Sequence, residues 1–134
     1  GRRYGKKIED SCGEEVLRRI LGGQEISQAE YKGKYYRKAL QAKHLIKKEI
    51  ELAFQKVDAI ITPVVPKLPH KIGSKISVED MYNYDSLTIP ANLAGIPAIS
   101  IPAGKINNIP VGLQIMTKKF DENKMFSIAR EFEK

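Results

Sequence analysis

The sequence predicts an α/β chain, with long helices in its first half and strands in its second. Three observations carry this. Residues 27–57 repeat small and apolar side chains in steps of three and four, the period of a helix. From Asp58 onward the apolar residues come in short, β-branched runs bounded by proline, glycine and asparagine. The closing stretch, "DENKMFSIAREFEK", returns to helical spacing behind an aspartate cap. Residues 1–134 read as a single segment, mainly helical over 1–57 and built of strands and short helices over 58–134.

Taken in order, Asp10 or Ser11 can cap a first helix with the body "EEVLRRIL", whose acidic residues fall in the first turn. Gly22-Gly23 is expected to stop it. A capping box, "SQAE", with Ser27 as the cap and Glu30 three residues on, predicts the start of a second helix. Its stripe comprises Tyr31, Tyr35, Ala39, Ala42, Ile46, Ile50, Ala53 and Val57, with lysines and arginines on the other side, so this helix needs a partner surface. "DAIITP" reads as a short strand buried on both faces and ended by Pro63. "VVPKLPHKIG" is a proline-rich loop, and residues 77–82 form a helical turn. In "SLTIPANLAGIPAISIPAG", Thr88 caps a short helix, Ile89-Pro90 begins it, and Gly95 ends it in the left-handed region. Pro97 then opens the strand "AISIP", broken by Pro102 and the turn "AGKINNIP"; "VGLQIMT" returns as a second strand, and Asp121 caps the last helix.

Composition narrows the function classes. The chain has 134 residues, 42% hydrophobic and 29% charged, which is the balance of a globular domain. Between Met81 and Gly104 only Asp85 is charged, but Pro90, Pro97 and Pro102 interrupt the run, so it is not a membrane span. A single cysteine, Cys12, allows no internal disulfide and fits a reducing, cytoplasmic setting. The net charge is +7, and residues 1–56 hold 14 Lys or Arg against 8 Asp or Glu. Such a basic half can face nucleic acid, or it can be the solvated side of lysine-rich helices.

A search for chemistry returns little. His44 and His70 are far apart, and with one cysteine they give no metal-ligand spacing. His44 reads as a helix-surface residue and His70 as a loop residue. No G-x-S-x-G elbow, S-x-x-K or phosphate-cradling glycine loop occurs, and none of the seven serines has an adjacent base. Cys12 precedes a helix start, where a thiol pKa can fall, but it reads more simply as a passive cysteine.

Four stretches, in this order, resemble the C-terminal part of the amidase signature family: "GEEVLRRILGG", "YYRKALQAKHLIKKEIELAFQKVDAIITPVVP", "YDSLTIPANLAGIPAISIPAG" and "IPVGLQIMTKKFDE". Within it they are most similar to the A subunits of aminoacyl-tRNA amidotransferases, through "RRILG" and the "YD" neighbourhood. The likeness runs from about Gly13 to Glu133 and implies part of an α/β/α sandwich with a mixed sheet. Members of this family use a serine nucleophile, a second serine in a cis peptide, and a lysine. The glycine- and serine-rich motif that carries those serines is not in this sequence. The resemblance thus implies no catalytic residue here, and a chain inactive by itself: the C-terminal segment of a longer amidase, supplying walls for glutamine.

The resemblance assigns two residues to those walls. Arg19 matches the family position that takes the glutamine α-carboxylate, and Asp85 the one that meets the α-ammonium. The chemistry is apt, because a free amino acid presents opposite charges on one carbon and arginine's planar fork suits a carboxylate. The residues alone also allow ordinary helix pairing, Glu14–Arg18 and Glu15–Arg19, and a loop or cap role for Asp85. The implied partners are the N-terminal part of the same amidase, the B and C subunits of the amidotransferase, glutamine as substrate, and misacylated Glu-tRNA(Gln) or Asp-tRNA(Asn), held mainly by the B subunit. No cofactor or metal is implied in this chain; ATP and Mg belong to the partner subunit. Two other readings stay open: a family member hydrolysing a small amide without tRNA, and a non-catalytic scaffold or tRNA-binding module.

Overall fold

The computed structural model describes residues 11–27 and 35–133. The chain divides into two compact units, Gly1–Ala42 and Lys43–Lys134. Its elements are α1 (Glu14–Ser27), α2 (Tyr35–Ala53), β1 (Ala59–Pro63), α3 (Val78–Asn83), α4 (Ile89–Ala94), β2 (Ala98–Ile106), β3 (Ile109–Thr117) and α5 (Glu122–Phe132).

In the first unit α1 begins later and ends later than the sequence suggests. Its first turn closes on the Gly13 carbonyl, which accepts from Leu17 N–H at 3.1 Å, so Gly13 stands where Asp10 or Ser11 was expected as the cap. Asp10 lies outside the described residues. Gly22-Gly23 does not stop the helix, which runs on to Ser27. The reason is conformational: a glycine stop needs φ > 0, and among the described residues the positive-φ glycines are Gly73, Gly95 and Gly104. Inside a helix, glycine costs only about 0.5–1 kcal/mol relative to alanine. Ser27 accordingly closes α1 instead of opening α2, and its expected partner Glu30 lies outside the described residues, as does Tyr31.

The second unit is built on a three-stranded antiparallel sheet in the order β1-β3-β2. Among the described residues every pairing is antiparallel, so any parallel pairing of a mixed sheet belongs to strands outside them. β3 is central because its residues can be covered on both faces. Ile115 and Thr117 are fully buried, and Met116 and Gln114 nearly so. One face carries Ile101 and Ile115, packed by Met125 and Ala129 of α5, with Ile99, Leu113 and Ile128 around them. The opposite face carries Met116, packed by Phe54 from the turn after α2 and by Ala91 of α4, with Ile50, Ile60 and Ile96 at its margin. The alternation of a strand thus sorts neighbouring residues into two helix-covered layers.

Two strand expectations need correction. β1 is not buried on both faces: among the described residues it is an edge strand, paired on one side only with β3, and Ile61 is 53% exposed. Nor does Pro102 end β2, which continues to Ile106 through an irregularity between Pro102 and Lys105, where Gly104 has φ 104°. An edge strand tolerates proline because the missing N–H would face outward, and the bulge absorbs the misfit. The turn itself is only Asn107-Asn108, with φ 52° and 63°, the two left-handed residues of a tight hairpin. At Gly112 a Cβ would meet Val64 Cγ2 at 2.8 Å and Ser100 Oγ at 3.0 Å, so the glycine lets residue 64 and β2 close on β3.

The other helices follow the sequence closely. Ser77 caps α3, its Oγ accepting from the Asp80 N–H at 3.0 Å. Thr88 stands at the cap position of α4 but with helical angles and no side-chain cap bond, its hydroxyl donating back to the Asp85 carbonyl instead; Pro90 sits in the first turn, and Gly95 ends the helix with φ 69°. Asp121 stands at the cap position of α5 but makes no side-chain cap bond; its backbone carbonyl accepts from the Thr117 hydroxyl at 3.0 Å. On α2, His44 is exposed as expected; of the stripe Ile46, Ile50 and Ala53 are half-buried, while Tyr35, Ala39, Ala42 and Val57 are exposed and Val57 lies past the end of the helix. No helix of the described residues is long and apolar enough to cross a membrane.

Candidate functional site

The two residues assigned to a substrate fall in different units, Arg19 in the first and Asp85 in the second. Arg19 lies on α1, where the helical repeat brings it beside Glu15, four residues earlier. Its Nε donates to Glu15 Oε1 at 2.7 Å. Arg18 takes the same carboxylate from three residues away, with Nε to Oε2 at 2.9 Å and Nη2 to Oε1 at 2.7 Å. Of the two i, i+4 pairs the spacing allows, Glu15–Arg19 forms, and Arg18 pairs with Glu15 at i+3. Arg19 and Arg18 together hold the Glu15 carboxyl below the usual carboxylate range. One carboxylate on α1 thus accepts from two guanidinium groups.

Asp85 lies between α3 and α4 and is half-buried. Its backbone is fixed from both sides: its N–H donates to the Tyr82 carbonyl, and its own carbonyl accepts from Thr88 N–H at 3.1 Å and Ile89 N–H at 2.9 Å. The Thr88 hydroxyl donates to that same carbonyl at 3.2 Å. The turn before α4 is thus wound tightly around Asp85, which makes its position a property of the local fold. Next to it, the Tyr84 hydroxyl accepts from the His70 N–H at 3.1 Å, and the two rings lie 5.9 Å apart. His70, expected as a loop residue, anchors the proline-rich loop to this turn.

A second tie holds the same loop. Lys67 pairs with Asp80, the residue at the third position of α3, and its ammonium also lies 5.7 Å from the centre of the Tyr84 ring. Lys67 first, and Ser77 second, hold the Asp80 carboxyl below the ordinary aspartate range; Asp80 in turn raises the Lys67 pKa. The sign follows from linkage. A lowered carboxyl pKa gives stability that is present above the unfolded pKa and lost as pH falls through the folded one. A raised lysine pKa gives stability that is present below the unfolded value and lost as pH rises through the folded one. The tie therefore spans neutral pH. In a carboxyl-carbon NMR titration Asp80 is expected to reach its midpoint below about 3.9, the unperturbed aspartate value. A midpoint at or above that value would mean the pair does not form.

Beyond Thr88, a groove of about 380 Å³ opens between α4 and the sheet, lined by Thr88, Asn92, Ser100 and Gln114 with Val64 and Ile96 as apolar walls. Gln114 was not foreseen. Only 4% exposed, it donates from Nε2 to Thr62 Oγ1 at 3.0 Å and to the Leu87 carbonyl at 2.9 Å. Its signal in the sequence was a lone amide inside the apolar run "VGLQIMT", where a buried polar group must find partners. Among the described residues there is no cluster of three or more His, Cys, Asp or Glu able to hold a metal ion.

The family model described as Amidase matches residues 2–126. The chain belongs to the amidase family. It is similar to the A subunit of glutamyl-tRNA(Gln) amidotransferase from Methanobrevibacter smithii, 58% identical over 133 residues, which is 99% of this chain and 29% of that protein. The A subunit of the same name from Methanocaldococcus jannaschii is 54% identical over 134 residues, 100% of this chain and 31% of that one. The crystal structure of the glutamyl-tRNA(Gln) amidotransferase A subunit from Thermotoga maritima matches with a TM-score of 0.72 at 41% identity, over 93% of this chain and 28% of that chain. A crystal structure described only as an amidase, 24% identical with a TM-score of 0.74 over 92% of this chain and 29% of that one, supports the fold alone. This amidase chain thus spans less than a third of the length of the relatives it matches.

Proposed function

We propose that this chain forms the glutamine-binding wall of an amidase that releases ammonia from glutamine for the transamidation of Glu-tRNA(Gln). The observation that carries the reading is the 58% identity, over 99% of the chain, to a protein named as the A subunit of glutamyl-tRNA(Gln) amidotransferase. In this reading the Arg19 guanidinium receives the substrate α-carboxylate, and Glu15 orients the group through its Nε. Asp85 receives the α-ammonium. Its short side chain loses little entropy on ordering, and the hydrogen-bonded turn fixes its backbone. The side-chain amide is then attacked by a serine nucleophile that this sequence does not supply. Attack forms an acyl-serine ester and expels ammonia, and water then frees glutamate. A partner subunit with ATP and Mg activates the carboxylate of the misacylated tRNA. The chain by itself is inactive in this scheme.

The test is a chimera in which this chain replaces the matching segment of the A subunit of the Methanobrevibacter smithii enzyme, assembled with that enzyme's partner subunits. Glutamine hydrolysis by the unsubstituted chimera shows that the segment is compatible. Arg19→Ala and Asp85→Asn are each expected to raise KM for glutamine by roughly 10–150-fold, the range for losing a hydrogen bond to a charged group. A small amide without charged α-groups should be hydrolysed as before. If both variants keep the parental KM for glutamine, this chain does not bind it through these residues.

A further inference from the structure

We infer that Gln114 is a positioning residue for the amino-acid site, setting the place of Asp85 through the Leu87 carbonyl. The inference rests on the glutamine-site reading above. Gln114 sits on β3, the central strand, between Thr62 of β1 and Ser100 of β2 in the sheet register. Its amide nitrogen carries two hydrogens and spends them in two directions: one across the sheet to Thr62 Oγ1 at 3.0 Å, the other out of the sheet to Leu87 O at 2.9 Å. Leu87 is two residues from Asp85, inside the turn whose other backbone bonds are local, from Thr88 and Ile89 back to Asp85 and from Asp85 back to Tyr82. Those local bonds give the turn its shape. The Gln114 bond ties the turn to the central strand close to Asp85, beside the packing of Ala91 of α4 on Met116.

The burial of Gln114 makes this tie stiff. At 4% exposure its side chain has almost no access to water, so a broken bond would leave a donor or a carbonyl without a partner. Thr62 accepts the other amide hydrogen across the sheet, a bond separate from the one to Leu87. A strand in the middle of a sheet is among the least mobile parts of a domain, so the carboxylate is referenced to rigid structure although it sits in a connecting turn. The same amide lines the groove beneath Thr88 and Asn92, placing it close to the path of any ligand that reaches the turn.

The test uses the chimera with two sheet variants and two substrates. Gln114→Met keeps the length of the side chain and removes both bonds, whereas Thr62→Val removes only the bond within the sheet. Gln114→Met is expected to raise KM for glutamine about tenfold with kcat within about twofold, the pattern of a lost ground-state contact. Thr62→Val should leave KM within about twofold. For glutaramate, which has no α-ammonium, neither substitution should change KM. Should Gln114→Met fail to fold, Gln114→Leu carries the same test, since it is uncharged and smaller and also lacks the donor to Leu87. An unchanged KM for glutamine overturns the inference, as do equal effects of Gln114→Met and Thr62→Val or equal effects on both substrates. Asp85→Asn separates the two claims. If it raises KM and Gln114→Met does not, the positioning role alone fails; if it leaves KM unchanged, the glutamine site fails, and with it any role played through Asp85.

Discussion

Ile115→Ala is expected to destabilise the second unit by about 2–5 kcal/mol, the range for removing a large aliphatic side chain from a closed core. Ile115 is wholly inaccessible, on the central strand, and meets Met125 and Ala129 of α5 together with Ile101 of β2. Neighbours on both flanking strands, Ile61 and Ile99, pair with it in register, so backbone constraints limit how far the site can collapse around the cavity. Pulse proteolysis in urea at low protein concentration measures the change. A loss below about 1 kcal/mol would mean that α5 does not cover this face of the sheet.

On the opposite face Phe54→Ala should cost about 3–5 kcal/mol, the usual figure for truncating a buried aromatic. Phe54 is 4% exposed and packs on Ala91 and Met116, just beyond the last residue of α2. Its N–H still bonds back to the Ile50 carbonyl at 3.0 Å, so the ring is delivered to the sheet by the end of that helix. Losing it removes the main side chain joining α2 to this layer, with only half-buried Ile50 left beside it. Leu52→Ala is the control: Leu52 is 48% exposed on the same helical turn, and its truncation should cost less than about 1 kcal/mol. The same urea measurement distinguishes them, and equal losses would show that the helix end docks by a different face.

How far the sequence could be read depended on whether a signal was local. Thr88 holds the cap position of α4 without making a cap bond, but the ends of that helix were legible because Pro90 and Gly95 act through their own backbone angles. Ser77 at the start of α3 is similar, since its hydroxyl closes on an N–H three residues away. Gly22-Gly23 misled for the converse reason: glycine permits a left-handed stop without requiring one, and here the helix continues. Of the candidate site, the sequence supplied Arg19 and Asp85 through resemblance, and the spacing supplied the Glu15–Arg19 pair. It could not supply the second arginine on Glu15, nor the Tyr84–His70 tie across fourteen residues, nor Gln114, whose partners lie on β1 and in the turn before α4.

By itself, then, the sequence determined the helix and strand periods, the Gly95 stop, the charge balance and the family resemblance, because each of these is written in residues a few positions apart. The tertiary structure decided which strand is central and which are edges, and so which prolines are tolerated and which isoleucines stay wet. It also decided where a buried amide spends its two hydrogens. Those outcomes depend on partners brought together by sheet pairing, from 27 residues away for Leu87 and 52 for Thr62, and nothing in the local pattern around Gln114 names them.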